Sequence, residues 1–108
     1  METENKKETF NDIIQADKPV LIDFFAEWCG PCKLMKPVLT ELRQRMGDKI
    51  RILKVDVDRS PVVSSAFDIQ SVPTLMLIQN KNIVWRQAGV VQAGQLEKII
   101  NQFLVAPQ

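Results

Sequence analysis

The stretch Val20-Leu21-Ile22-Asp23-Phe24-Phe25-Ala26-Glu27-Trp28-Cys29-Gly30-Pro31-Cys32 decides the fold of this chain of 108 residues. Its first seven residues are apolar except for Asp23, and such a run is typical of a central strand covered on both faces. The cysteine pair follows this run. Behind the pair, apolar residues recur at helical spacing as far as Met46: Leu34, Met35, Val38, Leu39, Leu42 and Met46. The two cysteines therefore lie where a buried strand passes into a long helix.

The same periodicities predict the elements on either side of this unit. Thr9 with Asp12 fits a capping box ahead of a short helix. Further helices are predicted from 58 to about 67 and at the end of the chain over 96–104. Strands are predicted at 51–57, 74–79 and 83–87, with Asn80-Lys81-Asn82 as a hairpin connection. The order α, β, α, β, α, β, β, α places the chain in the α/β class, with a mixed sheet and helices on both faces.

Composition narrows the range of functions. The chain carries 14 basic and 13 acidic residues, and a net charge of +1 gives no reason to expect nucleic acid or a membrane surface as partner. Its apolar runs are much too short for a membrane span. Residues 1–8 form a polar N-terminal segment without the apolar stretch of a secretory signal, so we expect a cytoplasmic protein. Residues 9–108 are predicted to form a single domain.

Three interpretations of Cys29-Gly30-Pro31-Cys32 compete. A zinc half-site needs two more ligands, and the chain has no histidine and no other cysteine, so zinc would require a dimer or two carboxylates. A purely structural disulfide would close a very small loop and stabilise little. A redox-active pair fits the position between a strand and a helix. The redox interpretation is favoured, and no metal is expected.

The position of the pair makes its two sulfurs unequal. Unpaired N–H groups and the positive end of the helix dipole lie at the helix start, where they stabilise a thiolate. We therefore expect Cys29, just ahead of the first turn, to be the more exposed and the more acidic cysteine. Cys29 would attack a substrate disulfide and Cys32 would resolve the mixed disulfide. Pro31 restrains the loop, and Gly30 lets the backbone approach a partner closely.

With these residues in place, the segment from Phe24 to Lys33 resembles the Trp-Cys-Gly-Pro-Cys-Lys type of the thioredoxin family. The resemblance covers the chain after residue 8 and extends to further segments: Leu21-Ile22-Asp23-Phe24, Met35-Lys36-Pro37, Lys54-Val55-Asp56-Val57-Asp58, Val72-Pro73-Thr74 and Gly89. It implies a thioredoxin fold with a mixed sheet of four to five strands. Because residues 1–8 are too polar for a convincing strand, we expect four strong strands and a fifth that is short or absent.

Asp23 is the informative residue of the first strand. A carboxylate in an apolar run is rarely buried without a functional or structural partner, and desolvation should raise its pKa. The alternative is a solvated residue at a sheet edge. The resemblance implies that Asp23 is the general acid/base that deprotonates the resolving Cys32, and that Lys54 is the partner of Asp23.

The resemblance also implies a substrate-binding surface. Pro73 would be cis and face the cysteines, although an ordinary proline at a strand start would explain the residue equally well without the motif. Val72 would offer backbone groups to an extended substrate segment. Trp28, Ser71 and Gly89 would complete the surface. Ser71 stands where the family commonly has glycine, and we expect it to narrow the choice of partners.

The function implied is that of a general protein-disulfide reductase. No cofactor is expected beyond the Cys29–Cys32 disulfide, and the chain has no glycine-rich phosphate loop for a nucleotide. Electrons would come from NADPH through a separate flavoprotein, thioredoxin reductase, and the protein would act as a monomer. Two alternatives remain open. One is a dedicated oxidant or isomerase of an oxidising compartment, and the other is a structural subunit that uses the fold without redox turnover.

Overall fold

The buried strand ahead of the cysteines is a central strand of the sheet. The computed structural model describes residues 9–104, and in it β1 spans Val20–Phe25, with all six residues buried. It pairs in parallel with β2 (Arg51–Asp56) and antiparallel with β3 (Thr74–Gln79), which pairs antiparallel with β4 (Asn82–Ala88). The resulting order, β2-β1-β3-β4, confirms the predicted mixed sheet. The prediction about a fifth strand falls on residues 1–8, which lie outside the described part of the chain.

Helices cover both faces of the sheet. They are α1 (Phe10–Gln15), α2 (Gly30–Met46), α3 (Pro61–Ala66) and α4 (Ala93–Leu104), and a 3₁₀ turn, Gly47–Lys49, follows α2. Thr9 and Asp12 form the predicted capping box. Apolar side chains of α2 and α4 pack on one face of the sheet, and those of α1 and α3 pack on the other. No helix within residues 9–104 is long and apolar enough to cross a membrane.

The pleat of β1 decides which face receives Asp23. Successive side chains of a strand point to opposite faces. Ile22 and Phe24 belong to the core under α1 and α3, whereas Leu21 belongs to the core under α2 and α4. Asp23 shares the face of Leu21 and of Phe25, which packs against the two cysteines. The alternation therefore places the one carboxylate of β1 on the side of the sheet that α2 covers.

Leu34 does not belong to the buried stripe of α2, so its inclusion in the sequence-based stripe was wrong. Its relative exposure is 60%, whereas its neighbour Met35 is fully buried. At 3.6 residues per turn, adjacent residues are separated by about 100° around the helix axis. The other members of the stripe cluster around the direction of Met35, and Leu34 lies outside that sector.

The β3–β4 hairpin is tighter than the sequence indicated. Asn82 already belongs to β4 and pairs with Gln79, so the connection has two residues rather than three. Both of them have positive φ, 52° at Asn80 and 70° at Lys81, which is the φ pattern of a type I′ turn. Asparagine tolerates this region, but a lysine there brings its Cβ too close to the following carbonyl oxygen.

Replacing Lys81 by glycine should therefore stabilise the protein. Relief of the left-handed strain, less the entropy that glycine adds to the unfolded chain, should raise the free energy of unfolding by about 1 kcal/mol. Urea unfolding monitored by circular dichroism measures this change. Lys81→Ala is the matched control, because it removes the charge and retains the Cβ. An equal gain in both variants would show that the lysine charge, and not the backbone, is responsible.

Candidate active site

The cysteine pair forms a disulfide at the start of α2. Cys29 is the N-cap of the helix and Cys32 lies in its first turn, with 5.3 Å between their Cα atoms. The Cys32 backbone N–H donates to Cys29 Sγ over 3.1 Å. Gly30 and Pro31 are exposed in the same turn, where the proline needs no N–H. In the reduced state, this N–H and the positive helix end stabilise a negative charge on Cys29 Sγ.

Cys29 is not the more exposed cysteine, so that expectation was wrong. Its relative exposure is 3% and that of Cys32 is 6%. Phe25, Ala26 and Val72 pack around the pair. Val72 belongs to a loop 43 residues further along the chain, and its carbonyl oxygen lies 3.6 Å from Cys29 Sγ. Cys29 is therefore buried in part by a tertiary contact, which the spacing of residues near the motif cannot predict.

The loop that covers Cys29 contains the predicted cis proline. The Val72–Pro73 peptide bond is cis, and Pro73 is buried. The Gly89 N–H donates to the Pro73 carbonyl over 2.8 Å, and the Thr74 hydroxyl donates to the Ser71 carbonyl over 2.7 Å. Gly89 has φ of 96°, a backbone conformation that L side chains rarely adopt. The structure thus places Val72 against the disulfide, with Ser71 and the cis Pro73 on either side of it in the chain and Gly89 bonded to Pro73.

Trp28 is presented to solvent beside the motif. Its relative exposure is 72%, and its indole N–H donates to Asp58 Oδ2 over 2.9 Å. Asp58 is itself held by its backbone N–H, which donates to Asp56 Oδ1 over 2.9 Å. The bond to Asp58 orients an exposed aromatic ring that would otherwise be free to rotate. No local pattern predicts this role, because Asp58 lies 30 residues from Trp28 and its sequence context indicates a helix start.

Asp23 is buried on the α2 side of the sheet, which contradicts the alternative of a solvated edge residue. Its relative exposure is 1%, and Oδ1 has no hydrogen-bond partner among the described residues. Burial raises the pKa of the Asp23 carboxyl to about 6, and the positive charge of Lys54 partly opposes this increase. The carboxylate is therefore poised to exchange a proton near neutral pH.

Lys54 acts on Asp23 through its charge and not through an ion-pair contact. The two residues are opposite each other in the parallel register of β1 and β2. No salt bridge within 4 Å joins them in the described chain. Instead, Lys54 Nζ lies 4.9 Å from the centroid of the Phe25 ring. This placement leaves the ammonium within the field of the carboxylate without satisfying Oδ1.

A cleft of about 300 Å³ brings Asp23 and Cys32 together. Lys54 lines it as well, together with three exposed charged residues, Glu27, Lys33 and Lys36. Because a polar cleft of this size can hold several water molecules, a proton can pass between Cys32 and the buried carboxylate without direct contact. In the described range 9–104, no group of three or more His, Cys, Asp or Glu side chains is placed to hold a metal ion.

Comparisons with known proteins point in one direction. A family model described as Thioredoxin matches residues 2–102. The thioredoxin of Haemophilus influenzae is 41% identical over 92 residues, covering 85% of this chain and 86% of that protein. The thioredoxin of Alicyclobacillus acidocaldarius is 46% identical over 88 residues, covering 82% and 84%. Oxidised mitochondrial thioredoxin 3 from Saccharomyces cerevisiae superimposes with a TM-score of 0.77 at 36% identity, covering 86% of each chain.

Proposed function

Because the chain belongs to the thioredoxin family of thiol–disulfide oxidoreductases, we propose that it is a general protein-disulfide reductase in which Cys29 attacks and Cys32 resolves. The observation that carries this division of roles is the position of Cys29 at the N-cap of α2, where Sγ accepts the Cys32 N–H. A thiolate is stabilised at that point, and the thiolate is the attacking species. Cys32 lies one turn into the helix, within bonding distance of Cys29.

The reaction proceeds in two exchanges. The Cys29 thiolate bonds to one substrate sulfur as the substrate disulfide breaks, and the first substrate thiolate leaves and takes up a proton. Cys32 then loses its proton toward Asp23, through water in the cleft. Its thiolate attacks Cys29 Sγ, the bond from Cys29 to the substrate breaks, and the second substrate sulfur leaves as a thiolate that takes up a proton from water, while Asp23 returns its proton to water. The substrate has gained two electrons, and the protein is left with the Cys29–Cys32 disulfide.

Substrate docking involves the surface around the disulfide. Trp28 supplies an oriented, exposed aromatic ring, and Ser71 is exposed at the start of the cis-proline loop. An extended segment of the substrate hydrogen-bonds to the backbone of Val72, as in strand addition. Gly89 supports this loop through its hydrogen bond to the Pro73 carbonyl. Its positive φ would strain the backbone of any residue that carries a Cβ. These contacts bring a substrate disulfide to a sulfur that is itself nearly buried.

Regeneration of the reduced Cys29/Cys32 dithiol requires a second protein. We propose that this protein is thioredoxin reductase, a flavoprotein that passes electrons from NADPH to the Cys29–Cys32 disulfide. In this scheme the chain binds no cofactor, acts as a monomer in the cytoplasm, and contributes to electron transport and redox homeostasis. The family and its bacterial members support this scheme.

The experiment that tests the proposal is insulin reduction with NADPH and a bacterial thioredoxin reductase. The wild-type chain should make NADPH oxidation dependent on insulin, at a rate proportional to the concentration of the chain. The absence of insulin-dependent turnover, when the reductase is shown to reduce the Cys29–Cys32 disulfide, would contradict the proposal. It would favour a structural role or a dedicated oxidant, and a measured reduction potential would distinguish those two.

A further inference from the structure

We propose that the cleft beside Cys32 binds a carboxylate of the protein substrate, so that lysines on its wall favour disulfides with an acidic side chain close by. The inference rests on the proposed reductase function and names a substrate class for it. The occupant is an Asp or Glu side chain that belongs to the substrate itself.

Three lysines line the cleft: Lys33, Lys36 and Lys54. Lys33 and Lys36 are three residues apart on α2, so their side chains lie on neighbouring parts of the helix surface. Both are exposed, and neither forms an ion pair with any described residue. Two like charges at this spacing repel each other, and an anion placed between them relieves the repulsion.

The acidic residues of the cleft form no ion pair with either of these two lysines. Asp23 is buried in the wall, and Lys54 lies opposite it in the sheet register. Glu27 is exposed and forms no ion pair with the described residues. Within residues 9–104, Lys33 and Lys36 therefore have no ion-pair partner, and the cleft beside the resolving cysteine is lined by three lysines and only two carboxylates.

One cation at the far end of the same helix, Arg45, has ion-pair partners within the protein. Arg45 forms ion pairs with Glu41 and, at 2.9 Å, with Glu97 of α4. This cation is doubly paired within the protein, as expected where a charge serves only the fold. Lys33 and Lys36 differ from Arg45 in having no ion-pair partner among the described residues, and they lie at the end of α2 that carries the cysteines. Charged rims of this kind contribute specificity and faster association more than raw affinity.

The size of the cleft fits a side chain. A volume of about 300 Å³ holds a carboxylate together with several waters. Because Cys32 lines the cleft, an acid bound there would belong to a residue close to the attacked substrate cysteine. An exposed charge pair contributes modestly, so we expect about a fivefold preference and not an absolute requirement.

The test uses disulfide-bonded peptides that differ by a single Gln→Glu change, made in turn at each of four positions on either side of the attacked cysteine. The measured quantity is the second-order rate constant for reduction by the pre-reduced protein. At one or more positions the Glu peptide should react about five times faster than the Gln peptide at low salt. This ratio should decline as ionic strength rises, because surface charges are screened. Lys33→Gln and Lys36→Gln should each reduce it to about twofold or less.

Lys98→Gln is the control variant, since it removes the same charge from an exposed position of α4 that does not line the cleft, and it should leave the ratio unchanged. Ratios near one at every position would overturn the inference, as would an equal loss of the ratio in Lys98→Gln. In either case the wild-type protein would still reduce the Gln peptide. Failure of the reductase function would look different, because neither peptide would then be reduced.

Discussion

Replacing Cys29 by serine should lower the rate of insulin reduction about 1000-fold or more, to the level of the reaction without the protein. A serine hydroxyl is not ionised at neutral pH and cannot form the mixed disulfide, so no step of the exchange remains. The surrounding structure has little reason to change, because the cysteine pair closes only a four-residue loop and adds little stability. The loss should therefore be one of chemistry and not of folding.

Steady-state turnover and circular dichroism of the same samples would separate these effects. Cys32→Ser is the informative companion, because it should also lose turnover while still releasing one substrate thiol per protein molecule. Cys29→Ser should release none. Residual turnover above a few per cent in Cys29→Ser would mean that another group attacks the substrate, and the division of roles between the two cysteines would have to be abandoned.

The second large effect concerns Asp23, whose replacement by asparagine should stabilise the oxidised protein by about 3 kcal/mol at pH 7.5. Burial raises the pKa of this carboxyl from 3.8 to about 6, with Lys54 partly opposing the shift. One pKa unit corresponds to about 1.4 kcal/mol. Below pH 4 the carboxyl is protonated in both the folded and the unfolded state, so no destabilisation arises. Between pH 4 and 6 only the folded state keeps the proton, and wild-type stability falls as pH rises.

Urea unfolding at pH 4 and at pH 7.5 measures this dependence. The difference in unfolding free energy between Asp23→Asn and wild type should be small at pH 4 and reach its full value above pH 6. Asp17→Asn serves as the control, because Asp17 is exposed and its amide variant should show no such change. A stability difference for Asp23→Asn that is independent of pH would show that ionisation of this carboxyl is not the cause.

The same variant should be a poorer catalyst. Loss of a general base typically lowers a rate by about 100-fold, and the affected step here is the attack by Cys32. Above pH 6 the rate constant for resolution of the mixed disulfide by Cys32 should be about 100 times higher in wild type than in Asp23→Asn. The ratio of the two rate constants should fall toward one as pH drops below 6, because the wild-type carboxyl is then protonated as well. A buried carboxylate that weakens the fold and accelerates the reaction is the expected sign of a functional residue.

Much of the fold follows from local patterns in the sequence. The continuous apolar run of β1, the 3.6-residue periodicity of α2 and the polar residues between β3 and β4 each indicate their own element, and the observed sheet agrees with the predicted mixed sheet. The burial of Asp23 was also predictable, because a single acid inside a continuous apolar run has no solvent-facing side. The length of the β3–β4 connection was not predictable, because it depends on Asn80 and Lys81 both adopting positive φ.

The parts of the site that local patterns missed are tertiary. Val72 covers Cys29 from 43 residues away, and Asp58 orients Trp28 across 30 residues. No spacing rule connects such pairs in a single sequence. The charge of the cleft is a further example, because Lys54 comes from β2 and lies beside the α2 lysines only once the sheet has formed. Local sequence thus identified the reacting sulfurs, and the fold supplied their surroundings.

The roles of the two cysteines are tested most directly by detecting the covalent adduct that Cys32→Ser forms with a disulfide-bonded peptide. Intact-protein mass spectrometry should show one peptide attached per chain, and digestion without reductant should locate it at Cys29. The adduct should persist until dithiothreitol is added, since no resolving thiol remains. Cys29→Ser should form little or none under the same conditions. An adduct that forms as readily on Cys32 in Cys29→Ser would contradict the assignment of Cys29 as the attacking sulfur.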